Sequence, residues 1–253
     1  MFRNYLITAL RNIRRQKLSS VINIGGLAVG FASFILIFLY IKNELSYDTH
    51  WQDSQRIYRI SESIDYGDRA ADFAVSPFPL GPSLHAYFPE VELATRISSA
   101  RQDVPVVLDD KIFNIAHVHY ADTNFFKVFN YRFVEGSAAA LDQPNNIVLS
   151  LPTARKLFGE GSAMGKELKI GLDPYKVAGV IDYSGTESHL TPNILRSTLS
   201  FSEDEIKRFN RDWTLIWFYT YLKFKDSRGV ENFKEKLPDW HEATLQPWLE
   251  HHN

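Results

Sequence analysis

The sequence predicts an α+β protein in which an N-terminal amphipathic helix and one transmembrane helix precede a mixed α/β domain. Three observations predict this class. Residues 18–41 are a run of 24 residues without a charged side chain. The residues before this run repeat apolar side chains at helical spacing, and the 212 residues after it alternate between strand-like and helix-like stretches.

Residues 1–17 are predicted to form an amphipathic helix that lies in the membrane interface. The apolar side chains recur at the spacing of one helical face, and they are Phe2, Tyr5, Leu6, Ala9, Leu10 and Ile13. Arginine and asparagine side chains fall away from this stripe. The alternative is a disordered basic leader, but the regular spacing favours the helix.

Residues 18–41 are predicted to form a retained transmembrane helix. At about 1.5 Å per residue the run reaches about 36 Å, which is enough to cross a hydrocarbon core of about 30 Å. The apolar part of a secretory signal is shorter, about 7–15 residues, and precedes a small-residue cleavage site that is not seen between Phe38 and Glu44. A helix in the core of a soluble domain would show a polar face, whereas this run has only scattered Ser and Asn.

Five cations precede the span with no acid among them, and they are Arg3, Arg11, Arg14, Arg15 and Lys17. Because Lys and Arg concentrate on the cytoplasmic side of membrane helices, the N-terminus is predicted to be cytoplasmic and the main domain to lie outside the cytoplasm. Removing these five from the totals of 28 basic and 30 acidic residues leaves a net charge of −7 for residues 42–253. An acidic, aromatic-rich domain without cysteine is a poor nucleic-acid binder and has neither a disulfide framework nor a thiolate metal site.

The first half of the outer domain is predicted to run strand, helix and three strands. Strands are predicted at 56–64, at 91–99 and, folded in two at Asp109-Asp110, at 104–120. A proline-opened helix lies between the first two strands, and Pro89 stops it.

In the second half, a short helix after residue 121 is predicted to be capped by Asp122 or Thr123. A strand then leads into a helix with Ser150 as its N-cap, Pro152 in its first turn and Gly159 past its end. The remaining elements are a hairpin over 166–183 that turns at 171–174, a long aromatic strand over 212–226 and a helix over 227–240.

The stretch 159–167 resembles a phosphate-binding loop but lacks two of its determinants. Glu160 stands where the first glycine is needed, and Glu167 stands where the Ser or Thr that holds Mg²⁺ belongs. The stretch is therefore predicted to be a helix stop and a turn, without nucleotide binding.

His117 and His119 lie two residues apart, and on a strand they would share a face. Two imidazoles could begin a metal site, but the sequence offers no third ligand near them, and a closed zinc site needs four. Residues 241–245 lack the second histidine of H-E-x-x-H, and no G-x-S-x-G elbow is present. The sequence therefore predicts no catalytic, cofactor or metal site, and the protein is not predicted to be an enzyme.

Several stretches together resemble one family in sequence and in order. NYLITALRNIRRQKLSSVINIGGLAVGF is similar to that family's elbow helix and first span, and ELSYDTHWQDSQRIYRI is similar to its post-membrane signature. The order continues through FPEVELATRI, HYADTNFFKVFNYRFVEGS, NNIVLSLPTARKLFG, MGKELKI and YKVAGVI. Each stretch is weak alone, but together they cover almost all of the chain and resemble the MacB/FtsX-type permeases of ABC transporters.

The resemblance implies that residues 42–253 are a MacB-like periplasmic core domain. It divides this domain into a porter-like subdomain of residues 51–122 and 213–250 and an inserted, Sabre-like subdomain of residues 123–212. It implies a permease of the bacterial inner membrane that dimerises with itself or a related permease chain and is driven by a separate ABC ATPase subunit. ATP-driven motion would be transmitted to the periplasmic domain for export or release of a periplasmic substrate, and a periplasmic or outer-membrane partner is compatible with this.

Members of this family continue through further spans, and the sequence ends at Asn253 before any of them. The sequence is therefore expected to be a fragment of a longer permease, a truncated gene product or a single-span relative. The alternative function is a membrane-anchored periplasmic domain that binds or senses a ligand without transport. Further spans encoded after residue 253, together with an adjacent ATPase gene, would select the transport function.

Gly26 and Gly30 form a G-x-x-x-G pair in the span, and small residues let helix backbones approach closely in lipid. Small side chains gather in the half nearer the cytoplasm, whereas residues 34–39 are all large and apolar. Glycine is common in membrane helices in general, but this clustering favours a packing role. The pair is therefore predicted to contact another span of the permease.

The predicted orientation is tested by reporter fusions placed after Ser61. We expect a reporter that works only in the periplasm to be active there, because all the flanking cations precede the span. A reporter that works only in the cytoplasm is the matched control and should be silent at the same position. Activity of the cytoplasmic reporter after Ser61 would contradict the orientation.

Overall fold

The computed structural model describes residues 5, 7, 11, 14–65 and 70–252. The chain divides into two compact units, Met1–Thr49 and His50–Asn253. Much of the predicted amphipathic helix over 1–17 lies outside the described residues. Those of its residues that are described with helical backbone are Tyr5, Ile7, Arg11, Arg14 and Arg15, together with Lys17 at the start of the next helix. The amphipathic helix as a whole therefore stays a prediction.

The first unit contains one long helix, α1, Lys17–Ser46. It includes the predicted span and continues beyond it. Its 30 residues include an 18-residue window with a mean hydropathy of 2.3, so it is long and apolar enough to cross a membrane. A helix of this length rises about 45 Å. None of its side chains is buried, and apolar residues surround the helix on all sides, which is the pattern of a helix in lipid.

The second unit combines strands and helices and confirms the predicted α+β class. Its strands are β1 Ile57–Ile60, β2 Glu62–Asp65, β3 Ala70–Phe73, β4 Ser76–Pro77, β5 Val91–Ser98, β6 Val104–Leu108, β7 Lys111–Ile115, β8 Val118–Ala121, β9 Arg132–Gly136, β10 Asn146–Ser150, β11 Glu167–Ile170, β12 Asp173–Asp182, β13 Ile194–Ser197 and β14 Ile216–Phe224. Its helices are α2 Leu80–Tyr87, α3 Phe125–Val128, α4 Leu151–Phe158, α5 Glu203–Arg211, α6 Arg228–Trp240 and α7 Gln246–His252. Single 3₁₀ turns lie at Ser54–Arg56, Ala138–Leu141 and Thr198–Ser200, and a π-helical turn at His241–Leu245 joins α6 to α7.

Twelve of these strands form one sheet, in the order β1-β14-β5-β8-β13-β10-β12-β11-β6-β7, with β4 beside β14 and β9 beside β12. Strands β2 and β3 pair separately as an antiparallel hairpin. In the main sheet β8 runs parallel to β13, and β10 runs parallel to β12. The long aromatic strand β14 pairs antiparallel with β1, since Ile57 lies opposite Lys223 and Ile60 lies opposite Thr220.

The division of the domain into two subdomains stays a prediction. Strand β8, from the predicted porter-like part, pairs with β13, from the predicted inserted part. In this pair Val118 lies opposite Ile194 and Ala121 lies opposite Ser197. The main sheet therefore runs through both predicted parts.

Apolar side chains pack into clusters between the helices and the sheet. Leu157 of α4, Phe209 of α5 and Phe233 of α6 each enter a different cluster. A fourth cluster surrounds Phe125 of α3 and includes Trp51. Short helices are marginal alone, and burial of each such side chain contributes about 1.5–3 kcal/mol, so packing is what stabilises them here.

The local signals around α4 are confirmed. The Ser150 side chain accepts a hydrogen bond from the Thr153 amide, and Pro152 lies in the first turn. Gly159 ends the helix with a φ of 74°, a conformation that glycine adopts at low cost.

Three strand boundaries differ from the prediction. The strand predicted at 56–64 is divided into β1 and β2, which belong to different sheets. Residues 104–120 form β6, β7 and β8 rather than two strands, because His117 adopts a φ of 53° and interrupts the extended backbone. The hairpin of β11 and β12 turns at Gly171 and Leu172 alone, so Pro174 already belongs to β12.

An ion pair between Arg96 and Asp122 replaces the predicted cap of α3. Nε and Nη2 of Arg96 donate to the two carboxylate oxygens at 2.8 and 2.9 Å, and the Arg96 amide donates to the same group at 2.9 Å. Thr198 Oγ1 donates to it as well, at 3.1 Å. Each oxygen of the Asp122 carboxylate therefore accepts two hydrogen bonds. The N-cap of α3 is Asn124 rather than Asp122 or Thr123.

Removing the carboxylate of this pair should destabilise the domain strongly. We expect Asp122→Asn to lower the free energy of unfolding by about 3 kcal/mol or more, because the buried guanidinium of Arg96 would keep its charge without a counter-charge. Glu160→Gln is the matched control, since the Arg155–Glu160 pair is exposed and should contribute about 1 kcal/mol at most. Denaturant unfolding in detergent measures both variants, and equal losses would contradict the prediction.

Candidate functional site

The chain segment that follows α1 in sequence is anchored in the second unit by Trp51. Its indole is 5% exposed and packs against Phe129 and Tyr131, with ring centroids 5.2 and 4.8 Å away. The backbone amide of Gln52 donates to Oδ1 of Asn130 at 2.9 Å. A large aromatic side chain contributes about 3 kcal/mol on burial, so the burial of Trp51 holds this segment firmly against the rest of the domain.

Asp53, two residues further on, binds a buried lysine of β14. Nζ of Lys223 lies 2.6 Å from Oδ2 of Asp53, and Lys223 is only 8% exposed. Arg56 holds the other carboxylate oxygen at 2.7 Å. The hydrogen bonds from Lys223 and then from Arg56 lower the pKa of Asp53, although desolvation acts in the opposite direction. Asp53 therefore stays ionised and neutralises the lysine.

Arg56 extends the same network to two strands. Its Nη1 donates to Oε2 of Glu92 at 3.0 Å, and to the backbone oxygens of Phe224 and Lys225 at 3.0 and 2.9 Å. The hydrogen bond with Asp53 raises the pKa of Arg56, with a smaller contribution from Glu92. We call this network the junction, and it consists of Trp51, Asp53, Arg56, Glu92 and Lys223.

The end of β14 that contacts the junction also leads into the C-terminal helices. Phe224 packs against Phe233 of α6 with ring centroids 5.4 Å apart. Further along α6, Nε1 of Trp240 donates to Oγ of Ser83 at 3.0 Å. Strand β14 therefore joins the incoming segment to the last helices of the described chain.

Most residues predicted to set the membrane orientation are described, and all of those are exposed: Arg11, Arg14, Arg15 and Lys17. Arg3, the remaining one, lies outside the described residues. Their role in orientation stays a prediction.

The predicted packing pair lies on an open surface of α1. A Cβ atom added at Gly26 or at Gly30 would meet nothing within 4 Å. The structure therefore brings no described side chain of this chain against the two glycines, and their contact with another span stays a prediction.

The loop that resembles a phosphate-binding loop binds a carboxylate of its own chain. Oε2 of Glu135 accepts hydrogen bonds from Ser162 Oγ at 2.9 Å, from the Met164 amide at 3.0 Å and from the Ala163 amide at 3.2 Å. The Lys166 ammonium lies 4.8 Å from the centroid of the Phe158 ring. The donors of this loop thus hold Glu135 against the sheet, which is a structural use of a small anion nest.

The two histidines considered as metal ligands do not share a strand face, so that prediction is wrong. His117 precedes β8 with a positive φ, while His119 is buried in β8. Nδ1 of His119 lies 2.7 Å from the Ser98 carbonyl oxygen and donates to it. Burial lowers the pKa of His119 and keeps the ring neutral. Among residues 14–65 and 70–252, no group of three or more His, Asp or Glu side chains is placed to hold a metal ion.

The junction is absent from the sequence prediction because its partners are distant in the chain. Asp53 and Lys223 are 170 positions apart, and an ion pair over that separation leaves no periodic pattern. One local signal exists: Lys223 stands on the same alternating face of β14 as Tyr219 and Tyr221. A lysine among aromatic residues of a buried strand indicates a cation with a partner, since lysine is almost never buried alone.

Comparison with known proteins agrees with this architecture. The family model of the MacB-like periplasmic core domain matches residues 20–239. The macrolide export ATP-binding/permease protein MacB of Chromobacterium violaceum is 25% identical over 187 residues, which cover 68% of this chain. The chain spans about a quarter of that relative's length, 27%.

Two solved structures share the fold. A domain assigned to a permease protein from Porphyromonas gingivalis aligns with a TM-score of 0.65 and 19% identity, over 78% of this chain and 84% of that one. The periplasmic region of MacB from Actinobacillus actinomycetemcomitans aligns with a TM-score of 0.52 and 15% identity, over 77% and 92%. Since the family model covers most of the sequence, the chain belongs to the family of the MacB-like periplasmic core domain of ABC-type permeases.

Proposed function

We propose that this chain is the first membrane span and periplasmic module of an ABC-type permease, and that it couples ATP-driven motion to export or release of a periplasmic substrate. The membrane is the bacterial inner membrane, with the N-terminus in the cytoplasm. Helix α1 supplies the span, and the cations before it supply the orientation. An ABC ATPase on the cytoplasmic side supplies the energy.

The observation that carries this proposal is the junction. A membrane helix can move a soluble domain only if the chain between them resists independent rotation. Here Trp51 is buried and Asp53 is held by two cations, within a few residues of the end of α1. Only residues 47–50 separate the helix from this segment, so movement of the helix reaches β14 through a short connection rather than a long free linker.

Helix packing in the membrane is the second part of the proposal. The permease contains a second copy of this chain or a related permease chain, and the face of Gly26 and Gly30 contacts a neighbouring span. Close approach of backbones over glycine is a main source of helix association in lipid, where no hydrophobic force drives it. Among the described residues outside the helix's own backbone, no atom lies within 4 Å of a Cβ added at either glycine, so this face can accept such a neighbour.

The coupling role of the junction can be measured with spin labels, because the chain contains no cysteine. The protein purified from its native membrane should bring an ABC ATPase with it. With a label at Leu172→Cys, a position 95% exposed, we expect ATP to change the distance distribution between the labels of two protomers. Asp53→Asn should reduce this change while ATP hydrolysis continues, because Lys223 loses its counter-charge.

Glu160→Gln is the matched control for Asp53→Asn, since it removes an exposed carboxylate that lies outside the junction. It should keep the full response to ATP. A full response in Asp53→Asn would contradict the role of the junction, and a purified protein without any ABC ATPase would contradict the proposed function itself.

The packing role of the glycines has its own test. We expect Gly26→Leu and Gly30→Leu to insert normally but to weaken recovery of the other permease spans, or of a second copy, in a pull-down from detergent. Leu36→Ala changes a large residue of the same helix and should affect recovery much less. Equal recovery for all three variants would show that the glycine face contacts only lipid.

A further inference from the structure

Among the described residues of the sheet domain, three cationic side chains are buried, and one differs from the other two. Arg96 and Lys223 are each 8% exposed, and each contacts a carboxylate, Asp122 or Asp53. Arg196 of β13 is 7% exposed. Among the residues that the structure describes, no carboxylate lies within ion-pair distance, 4.0 Å, of its guanidinium.

The immediate surroundings of Arg196 are two tyrosines. Its guanidinium carbon lies 4.1 Å from the ring centroid of Tyr120 and 4.4 Å from that of Tyr175. Nη2 donates to the Tyr175 hydroxyl. Nε is buried and has no hydrogen-bond partner among the described residues. The site thus places a cation between aromatic faces with a donor left over.

Neither the phenol of Tyr120 nor the ring faces supply the missing negative charge. Burial raises the pKa of Tyr120, so this phenol stays neutral at physiological pH. Burial also lowers the pKa of Arg196, which reflects the unfavourable environment for its charge. A cation–π contact contributes about 0.5–2 kcal/mol, whereas burial of a charge costs several kcal/mol. Two rings therefore offset only part of the cost.

Charged groups of both signs act on Arg196 from beyond contact distance. Arg101 adds a second cation, with its guanidinium carbon 5.1 Å from the ring centroid of Trp217. Asp173 acts on Arg196 without reaching ion-pair distance, and its electrostatic effect exceeds that of Arg101. Glu205 also interacts with Arg196 without an ion pair. Glu205 is committed elsewhere, since its Oε2 accepts from both the amide and the hydroxyl of Ser202.

The sheet register gives the position of the site. Arg196 lies opposite Ile147 of β10 and beside Tyr120 of β8 in the parallel pair, so these side chains share one face of the sheet. Ile147 belongs to the cluster under α4, and Tyr120 packs on the cluster under α5. Arg196 therefore lies where the two clusters meet.

We propose that Arg196 and Arg101 form a binding site for an oxyanion, a carboxylate or phosphate group, carried by a ligand with an apolar portion. A guanidinium offers parallel N–H donors that match either group, and charge-assisted bonds of this kind are about twice as strong as neutral ones. The exposed Arg101 receives the ligand, and Arg196 holds the oxyanion. The rings of Tyr120 and Trp217, both half-buried, contact the apolar portion. This site is independent of the proposed transport function.

The test uses the full chain in a non-ionic detergent at constant ionic strength, with inorganic phosphate, acetate and hexanoate as probes. We expect each probe to raise the unfolding temperature saturably and hexanoate to bind more tightly than acetate, because of its apolar tail. Arg196→Gln should weaken binding about tenfold or more, and Arg101→Gln should weaken it less. Arg59→Gln is the matched control, because Arg59 is an exposed arginine near the ring of Tyr219 in the same sheet.

A second measurement does not depend on the stability of a variant. The buried Nε–H of Arg196 should give its own NMR resonance, which should shift saturably with each anion in the wild-type chain. Asp173→Asn tests whether Asp173 is itself the counter-ion of Arg196. If a bound anion is the counter-ion instead, the variant should bind anions more tightly, because a negative charge has been removed. Phosphate alone shifting the resonance would assign the natural group as phosphate. The proposal is overturned if no anion acts saturably, if Arg101→Gln matches Arg59→Gln, or if Asp173→Asn unfolds the domain as a lost ion pair would.

Discussion

The buried ammonium group of Lys223 requires a carboxylate, and this requirement fixes where the chain enters the domain. A lysine that is 8% exposed within a sheet loses most of its hydration, and Asp53 at 2.6 Å offsets that loss. Asp53 stands two residues after Trp51, so the ion pair and the buried indole hold the same short segment. Strand β1 then begins at Ile57, directly opposite Lys223. The ion pair between Lys223 and Asp53 thus helps to position β1, the edge strand of the sheet, beside β14.

Both buried arginines described lie against aromatic rings. They differ in whether a carboxylate of the same chain also contacts the guanidinium. Arg96 lies 3.6 Å from the Phe78 ring centroid and binds Asp122, so its charge is balanced within the fold. Arg196 has rings but no carboxylate at contact distance among the described residues. Since buried ions are normally paired, the first arginine is explained by stability and the second is better explained by a ligand.

The sequence predicts the features that depend on neighbours in the chain. Ser150 and Gly159 bound α4 because capping acts over one turn, and alternation identifies β14. Helix α5 is absent from the prediction although Ser202 and Glu205 form a capping box at its start, a signal that was available. The pairing of β14 with β1 and β5 and the contact of Asp53 with Lys223 join partners more than a hundred residues apart, and a single sequence carries no periodic trace of such contacts.

Transmission of motion from a membrane helix depends on how few free dihedral angles separate it from the domain. After α1 ends at Ser46, the first buried side chain is Trp51, so residues 47–50 alone intervene. Asp53 then contacts β14, which hydrogen-bonds to β1, β4 and β5 and leads into α6. A displacement of this segment is therefore spread over the backbone bonds of several strand pairs instead of acting on one side chain. In the proposed coupling, the stiffness of residues 47–50 determines how much of a displacement of α1 reaches the domain.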